Sequence, residues 1–422
     1  MENSHSKRWY TVIMLALVYA CSQMDRQIMS ILLDPIAKDL GASDTQMGLL
    51  VGIYFALFYT FFAIPIAMIA DRTNRKNVIA LSVVVWSALT AVCGAVTSYF
   101  QMALARMGVA FGEAGSTPAS ISIISDLFDE KSRTSAIAVF IAGASVGALF
   151  AFLCGGILLD KFGWRMTFVL IGLPGILLGL IVFLTVKEPK KAISKDSSAN
   201  AAGLGETISF MAKQAALRHV LIGKILGGFV GYGLALWVPT FLYRSYGLTG
   251  TQVGLTLAAF AVIGVIGTLA SGRIIDHFAK NDERWRAWII CFAKLISLPF
   301  LATFFFIDQL SIALILYAIP SFFGSFYLAP SAALIQNLVK IPMRTVAAAV
   351  SLFLLNIIGL GLGPLVVGIG TDALAPKFGD EALRYTLSAF IFVNLLAVFH
   401  FWRAGVLLGK TVKNSSANER EA

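Results

Sequence analysis

Ionisable side chains interrupt two long apolar segments in the first half of the chain. Asp25 and Arg26 stand side by side in one segment, and Arg106 and Glu113 lie seven positions apart in another. Seven residues make about two turns of an α-helix, so Arg106 and Glu113 share a face and lie about 10 Å apart along its axis. A charge inside a membrane costs at least about 2.5–3.5 kcal/mol, so such residues are expected to have a function and a partner. The chemistry that they offer is the gain and loss of a proton.

We expect Glu113 to carry the coupling proton and Asp25 to be a second coupled carboxylate. Desolvation and a neighbouring arginine have opposite effects on the protonation of a carboxyl, so one group can gain and lose a proton as access alternates. Asp25 and Arg106 both fall in the outer half of the membrane and are predicted to pair, whereas Glu113 lies near the midplane and is predicted to face a cavity. A static buried ion pair is the alternative. Arg26 and Arg106 are the predicted basic partners, and either could bind a phosphate or carboxylate of a substrate.

The composition indicates that membrane-spanning helices hold these residues. Of the 422 residues, 58% are hydrophobic and 13% are charged, and the mean hydropathy is +0.81. A membrane-spanning helix uses roughly 20 residues, so the apolar residues suffice for about twelve spans. A soluble enzyme, a nucleic-acid-binding protein and a secreted scaffold are thereby excluded. Spans one to twelve are predicted at residues 9–32, 43–70, 77–97, 100–125, 134–159, 164–186, 219–243, 250–274, 286–307, 310–337, 343–371 and 383–409.

The net charge of +10 follows a membrane topology rather than a binding surface. With the N-terminus inside, most lysines and arginines fall in cytoplasmic segments, and this positive-inside pattern predicts that both termini are cytoplasmic. The polar stretch 187–218 separates the halves 1–186 and 219–409, and its end is predicted as an amphipathic helix on the inner surface. Residues 410–422 are predicted as a disordered tail. We expect a multi-pass protein of the cell inner (plasma) membrane.

The two halves of the sequence repeat one another. Four pairs of identical residues share an offset of 212 positions. They relate spans four and five, with the residue after span five, to spans ten and eleven, with the residue after span eleven. These pairs are Gly147 and Gly359, Gly156 and Gly368, Pro118 and Pro330, and Asp160 and Asp372. Four pairs at one offset indicate a duplication. A six-plus-six arrangement with parallel halves is typical of a large class of transporters, whose site lies at the midplane between the halves.

The loop after span two carries a charged motif. It reads Ala67-Met68-Ile69-Ala70-Asp71-Arg72-Thr73-Asn74-Arg75-Lys76 and resembles the signature of the major facilitator superfamily, Gly-x-x-x-Asp-Arg-x-x-Arg-Lys, with alanine in place of the glycine. The stretch Gly272-x-x-x-Asp276 resembles its weaker second copy. An aspartate at a helix end can pair with arginines and cap a neighbouring helix, which would latch the halves in one state. The predicted gating residues are Asp71, Arg72, Arg75, Gly272 and Asp276; an ordinary positively charged inner loop is the alternative.

A closer resemblance is to the spinster-like branch of this superfamily. It rests on three stretches: Met24-Asp25-Arg26, Arg106-x5-Gly112-Glu113-Ala114 and Asp126-Leu127-Phe128. It implies an all-α fold of twelve transmembrane helices in two pseudo-symmetric halves, and transport of lysolipids or sphingoid lipids with proton coupling in bacterial members. By this resemblance Asp25, Arg26, Arg106 and Glu113 are the coupling and substrate residues. The anion–cation symporters show a similar Asp-Arg pair and a similar Arg…Glu-Ala stretch, so the organic-anion branch stays open.

The helices that line the centre of this fold supply further substrate candidates. These are Tyr19, Gln23, Tyr232, Tyr327 and Asn356. Lys294 lies deep in span nine and is predicted to attract an anion, to form an inner gate, or to extend its ammonium group to the surface. Lys224 in span seven is expected to extend to the inner surface. His400 is expected to be packed or to face lipid.

The expected function is secondary active transport by alternating access, with protons as the driving ion. The substrate is expected to be a lysolipid or another amphipathic molecule. Proton symport of small carboxylates and a non-transporting membrane sensor are the alternatives. The sequence has no ATP-binding loop, metal-ligand spacing or nucleophile–base pattern, so an enzyme is not expected. We expect no cofactor, no metal and no nucleic-acid partner; the partners are the lipid bilayer and a small amphipathic or anionic substrate, and the protein is expected to work as a monomer.

Overall fold

The computed structural model describes residues 2–189 and 202–421, with side chains for 5–189 and 202–409. Almost all of this part of the chain is helical. The helices of the first half are Glu2–Leu40, Asp44–Arg72, Arg75–Cys93, Tyr99–Glu113, Ser116–Leu127 and Glu130–Thr185. The helices that follow are Leu204–Lys213, Ala215–Tyr246, Gly250–Ala279, Trp285–Phe306, Leu310–Gly324, Leu328–Leu338, Arg344–Leu354, Gly363–Phe378 and Ala382–Glu421.

These helices account for the twelve predicted spans. Eight described stretches are long and apolar enough to cross a membrane, and two of them, Glu130–Thr185 and Ile341–Gly409, each hold two predicted spans. Spans one and four complete the twelve; they are the two that carry Asp25, Arg26, Arg106 and Glu113. Spans five and six are separated at Gly163, whose φ of 73° is a left-handed conformation that glycine adopts at little cost.

The polar segments differ in detail from the prediction. The linker 187–218 falls partly on residues 190–201, which lie outside the described residues. Beyond them the helix Leu204–Lys213 buries Thr207 and Met211 on one side, and it ends before the predicted limit at residue 218. The last helix, Ala382–Glu421, continues where the sequence predicts a disordered tail, because extending an existing helix costs less than nucleating one.

The chain forms two compact units that do not coincide with the two halves of the sequence. The first comprises Met1–Ser194 and Ala235–Ala261, and the second comprises Lys195–Leu234 and Val262–Ala422. The end of span seven and the start of span eight therefore belong to the first unit, although they follow the linker.

In the first unit, spans one and five pack through glycines. A methyl group built on Gly143 would stand 2.3 Å from the carbonyl oxygen of Ala16, and one on Gly147 would stand 2.0 Å from that of Ala20. Residues four apart lie on one helix face, so the backbones are in contact along a stripe without side chains. Such small-residue contacts drive helix association where lipid removes the hydrophobic difference between helix and surroundings.

Replacing Gly147 by Ala is expected to destabilise the protein by about 1–3 kcal/mol, the usual effect of overpacking a dense interior. The added methyl has no room because its neighbour is backbone rather than a movable side chain. Thermal unfolding of the purified protein checks this. The control is Gly272→Ala, where nothing lies within 4 Å of the new atom; an equal loss of stability in both variants would refute the packing argument.

In the second unit, span eleven packs on span seven in the same manner. A methyl group on Gly363 would stand 2.5 Å from the carbonyl oxygen of Phe229, and one on Gly359 would stand 3.2 Å from the carbonyl carbon of Gly228. Gly359 is the repeat partner of Gly147, and both glycines contact the first helix of their half. The internal packing of each unit therefore agrees with the duplication that the sequence indicates.

Two π-helical turns lie in spans two and eleven, at Leu50–Tyr54 and Leu355–Leu362. A π turn adds a residue to the turn and is frequent at functional sites, because it changes the direction of the side chains that follow. Phe55 begins the helix after the first π turn, and Asn356 lies within the second.

Candidate functional site

Glu113 is held by an ion pair with the neighbouring arginine of span one. Arg26 Nε lies 2.6 Å from Glu113 Oε2, and Ser22 Oγ donates to the same oxygen at 3.0 Å. Ser22 and Arg26 are four residues apart, one turn of the helix, so both point toward span four. The Glu113 side chain is 0% exposed. The prediction that Glu113 faces a cavity is therefore wrong for this structure, in which it is enclosed by its two partners.

Asp25 is fully buried and has no hydrogen-bond partner at either carboxylate oxygen. The predicted pair with Arg106 does not form, and Arg106 itself leaves Nε and Nη1 without a partner. Successive side chains project about 100° apart, so Arg26 takes the position next to Glu113 while Asp25 lies beside Trp86 and Thr90 of span three.

The surroundings of Asp25 are polar but unpaired. Trp86, Ser87 and Thr90 of span three are each 0% exposed, and Trp86 Nε1, Ser87 Oγ and Thr90 Oγ1 have no hydrogen-bond partner. Buried polar atoms without a partner are rare in native structures, and a cluster of them calls for a functional explanation. Asp25 thus sits in a buried, polar pocket rather than in an ion pair.

Aromatic rings cover the guanidinium groups. The Arg26 Cζ atom lies 4.2 Å from the Tyr59 ring centre and 4.9 Å from that of Phe55, and Arg106 Cζ lies 5.4 Å from Phe55. Ring faces attract desolvated cations. Phe55 follows the π turn directly, so this turn helps to set the direction of the ring that contacts both arginines. No sequence pattern distinguishes Phe55 or Tyr59 from the many other aromatic residues of the chain.

The predicted gating loop is organised around Arg75. Its side chain is 2% exposed, with Nη1 at 2.5 Å from Asp126 Oδ2 and Nε at 2.7 Å from Glu188 Oε1. Asp71 and Arg72 of the same motif are exposed. Arg75 therefore ties spans three, four and six together on the predicted cytoplasmic side. Glu188 is not among the sequence candidates, although it stands out between the lysines at 187, 190 and 191.

Replacing Arg75 by Gln is expected to lower stability by about 1.5–3 kcal/mol, the typical worth of hydrogen bonds to charged groups. Two carboxylates would lose their shared cation. Thermal unfolding measures the effect, and Arg72→Gln is the matched control in the same motif because Arg72 is exposed. Equal melting temperatures for the two variants would contradict the assignment.

The second copy of the motif borders a cavity. Asp276 is 76% exposed and its Oδ1 lies 3.9 Å from Arg286 Nη1. A cavity of about 250 Å³ is lined here by Gly272, Asp276, Arg286 and Pro330, among others. This copy has a loose ion pair where the first has buried contacts.

A second ion cluster, absent from the sequence candidates, lies at the predicted outer end of the first unit. Arg244 binds both oxygens of Asp44, at 2.7 and 2.8 Å, and Asp34 Oδ1 at 2.7 Å. The two carboxylate side chains are 4% and 10% exposed. Nearby, Asp160 accepts from the backbone N–H groups of Gly250 and Thr251 and so caps the start of span eight. The end of span seven and the start of span eight are thereby fastened to spans one, two and five.

The remaining sequence candidates are distributed over both units. Tyr19, Gln23, Tyr232, Tyr327 and Asn356 are all half-buried. Tyr19 stacks on Phe140, with ring centres 4.9 Å apart.

The two lysines of the second unit are buried. The prediction that Lys224 extends to the surface is wrong: it is 5% exposed and donates to Ser351 Oγ at 2.8 Å, because this hydroxyl is within its reach inside the unit. Lys294 is 6% exposed and donates to Asn394 Oδ1 at 3.1 Å. His400 packs against His219, with their Nδ1 atoms 3.0 Å apart.

Comparison with known proteins assigns the family. The family profile described as Major Facilitator Superfamily matches residues 15–364. The chain is 34% identical over 402 residues to an MFS-type efflux pump of Mycolicibacterium smegmatis, covering 94% of this chain and 92% of that protein. It is 25% identical over 420 residues to the hexuronate transporter of Bacillus subtilis, covering 96% and 97%.

A solved structure agrees with the fold. The crystal structure of a bacterial homolog to the human lysosomal transporter spinster, in its inward-facing and unoccupied conformation, matches with a TM-score of 0.88 and 29% identity, covering 96% of this chain and 98% of that one. The predicted all-α membrane fold of this superfamily is confirmed, and with it a transporter rather than an enzyme. The chain belongs to the major facilitator superfamily, and within it the chain is similar to the spinster-like transporters that its charged motifs resemble.

Proposed function

We propose that this protein is a proton-coupled secondary active transporter of the inner membrane that works by alternating access. One observation carries the proposal: two fully buried carboxyls lie close together in the first unit, one paired and one without a partner. Glu113 has Arg26 and Ser22, whereas Asp25 forms neither an ion pair nor a hydrogen bond in the described part of the chain. Two carboxyls in such different surroundings are the usual arrangement for dividing acid and base roles.

The two environments support different roles. An ionised carboxylate without a partner in a buried interior is costly, and such a group neutralises instead. Asp25 is therefore the proposed holder of a proton in this conformation. Glu113 differs, because a guanidinium lies at 2.6 Å and a hydroxyl at 3.0 Å from its carboxylate.

Transfer of a proton to Glu113 supplies the coupling step. It removes the negative charge that holds Arg26 and releases the guanidinium, which can then bind an anionic group of the substrate. Deprotonation on the other side of the membrane restores the pair and expels the substrate. Glu113 is thus the proposed proton carrier and Asp25 the second coupled carboxylate. Arg26 and Arg106 are the cations whose binding depends on the charge of these two carboxyls.

We assign alternation to the two polar clusters at the ends of the molecule. The Asp71–Lys76 loop and its copy at Gly272 and Asp276 form the inner gate, and the Arg244 cluster forms the outer one. The buried ion pairs of Arg75 and Arg244 suit this role, because losing one partner leaves an uncompensated charge.

The proposed substrate is a lysolipid or another amphipathic molecule. The likeness to the bacterial spinster homolog supports it, as do the aromatic rings beside the charged site. Phe55 and Tyr59 offer apolar surface within 5 Å of Arg26. The half-buried residues Tyr19, Gln23, Tyr232, Tyr327 and Asn356, with Lys294, are the proposed contacts for the rest of the molecule.

A proton symporter of small carboxylates is the second candidate. It is favoured by the similarity to the hexuronate transporter of Bacillus subtilis along nearly the whole chain. Arg26 and Arg106 would then bind a sugar-acid carboxylate directly.

The proposal is tested with proteoliposomes that contain a trapped pH dye. A lysolipid panel and a carboxylate panel are added in turn to vesicles with the protein and to vesicles without it. An internal pH change with lysolipids alone supports the first candidate, and one with carboxylates alone supports the second. No protein-dependent pH change with either panel would contradict proton coupling for both.

A further inference from the structure

The second unit contains two buried ammonium groups that no carboxylate accompanies. Lys294 Nζ donates to Asn394 Oδ1 at 3.1 Å and lies 4.6 Å from the Tyr327 ring centre. Lys224 Nζ donates to Ser351 Oγ at 2.8 Å. Both lysines are more than nine-tenths buried, and within the described part of the chain neither forms an ion pair.

This leaves each charge largely uncompensated. An ammonium group has three N–H donors, and each of these lysines has one neutral acceptor. Ionisable groups inside the membrane are expensive and normally pair with one another or mark a substrate pathway. The missing partner is an anion.

The two lysines are joined by a groove in span seven. Lys224, Gly227, Gly228 and Gly231 have the spacing i, i+3, i+4 and i+7, which places them on one helix face. A methyl group built on Gly227 would stand 3.1 Å from Lys294 Nζ, so the second ammonium group lies against the same face. We name the surface of Gly227, Gly228 and Gly231 the glycine groove.

The glycine groove has a polar border and is open at Gly231, whereas the side chains of Tyr327 and Leu355 pack against Gly227 and Gly228. At Gly231 the one atom within 4 Å of an added methyl is Tyr327 Oη, at 3.4 Å. A hydroxyl there can donate to a ligand oxygen. Glycine also permits close approach of a ligand to the backbone.

We propose that Lys294 and Lys224 bind the oxyanion of the transported substrate, a phosphate or a carboxylate, at the glycine groove. This inference rests on the proposed function, because it gives the substrate of that transporter an anionic group. Lysine is an established phosphate ligand that acts as a point charge. The oxyanion site is separate from the proton site: the cations are in the second unit and the coupled carboxylates are in the first.

Direct binding tests the proposal without a proton gradient. The probes are 1-oleoyl lysophosphatidate, the corresponding lysophosphatidylcholine, and glucuronate, added to purified full-length protein in a neutral detergent. Affinities are measured by thermophoresis for wild type, Lys294→Met, Lys294→Arg and Lys224→Met. Lys280→Met is the matched control, since Lys280 is exposed in the same unit. Thermal unfolding verifies that each variant is folded.

Wild type is expected to bind lysophosphatidate if the substrate has an acyl chain, or glucuronate if the substrate is a sugar acid. Lys294→Met and Lys224→Met should each weaken that binding by about tenfold or more, the effect of losing a hydrogen bond between charged groups. Lys294→Arg should retain most of it, and Lys280→Met all of it. Because this binding assay uses no proton gradient, loss of the oxyanion site and loss of proton coupling are distinguishable.

Three results would overturn the proposal. The first is that neither anionic probe binds to wild type. The second is unchanged affinity in folded Lys294→Met and Lys224→Met. The third is an equal loss of affinity in Lys280→Met, because binding at the two buried lysines must not depend on an exposed lysine outside the groove.

Discussion

Substitution of Glu113 by Gln is expected to abolish substrate accumulation driven by a proton gradient while leaving exchange of substrate across the membrane. Glutamine has the shape of glutamate and can still accept from Ser22, but it neither binds a proton nor compensates the charge of Arg26. Arg26 is then permanently released, so binding continues and only its link to protonation is lost. Accumulation should fall to the level of protein-free vesicles.

Two transport assays on the same vesicles check this prediction. The first measures uptake of labelled substrate under an imposed pH difference, and the second measures counterflow into vesicles loaded with unlabelled substrate. Glu283→Gln is the matched control, because Glu283 forms an exposed pair with Arg286 at 2.6 Å and lies outside the cluster. Gradient-driven uptake that survives in Glu113→Gln at the wild-type level would remove Glu113 from the coupling mechanism.

Substitution of Arg244 by Gln is expected to open the predicted outer end of the first unit and to destabilise the protein by about 3–5 kcal/mol, the usual cost of removing one partner of a buried ion pair. Asp34 and Asp44 would lose their shared guanidinium. Lys38 remains at 2.8 Å from Asp34, but Asp44 is left without this cation. The end of span seven should therefore separate from spans one and two.

Labelling of an introduced cysteine reports the opening. Ser30 is 0% exposed and lies one turn before Asp34 on the same face of span one, so Ser30→Cys is placed in a background without the four native cysteines. A membrane-impermeant thiol reagent added from outside should label it faster after Arg244→Gln. Arg165→Gln is the control, since its pair with Asp39 is about 40% exposed on both sides and surface pairs contribute little. Equal labelling rates for the two variants would contradict the outer gate.

Much of the fold follows from the sequence because it depends on local patterns. Twelve apolar segments, the offset between Gly147 and Gly359 and the clustering of charge at the inner ends are each visible within one stretch of chain or one repeat. Gly163 is an exception, because spans five and six join there through a single left-handed glycine.

The pairing of charges could not be predicted from the same patterns. Asp25 and Arg26 are neighbours in sequence, and a rotation of span one by one position exchanges which of them faces Glu113. The π turn at Leu50–Tyr54, which precedes the ring over both arginines, has no sequence signature. Arg244 contacts acids 200 and 210 positions away, and only the assembled helices bring them together.

The lysines illustrate a different limit. Distance from a helix end suggested that Lys224 would reach the surface, because a long side chain commonly does so. In the structure, the hydroxyl of Ser351 lies 2.8 Å from its ammonium group inside the unit. A hydrogen-bond acceptor on another helix thus decides the direction of the side chain, and sequence distance does not reveal it.

Proton exchange by the purified protein is the most direct test of coupling through the buried carboxyls. Substrate is added to wild type and to Glu113→Gln in weakly buffered detergent solution, and a pH dye reports protons bound or released per protein. If Glu113 carries the coupling proton, substrate changes proton binding in wild type and does not change it in Glu113→Gln. The same proton change in both proteins, or substrate binding to wild type without any proton change, would contradict it.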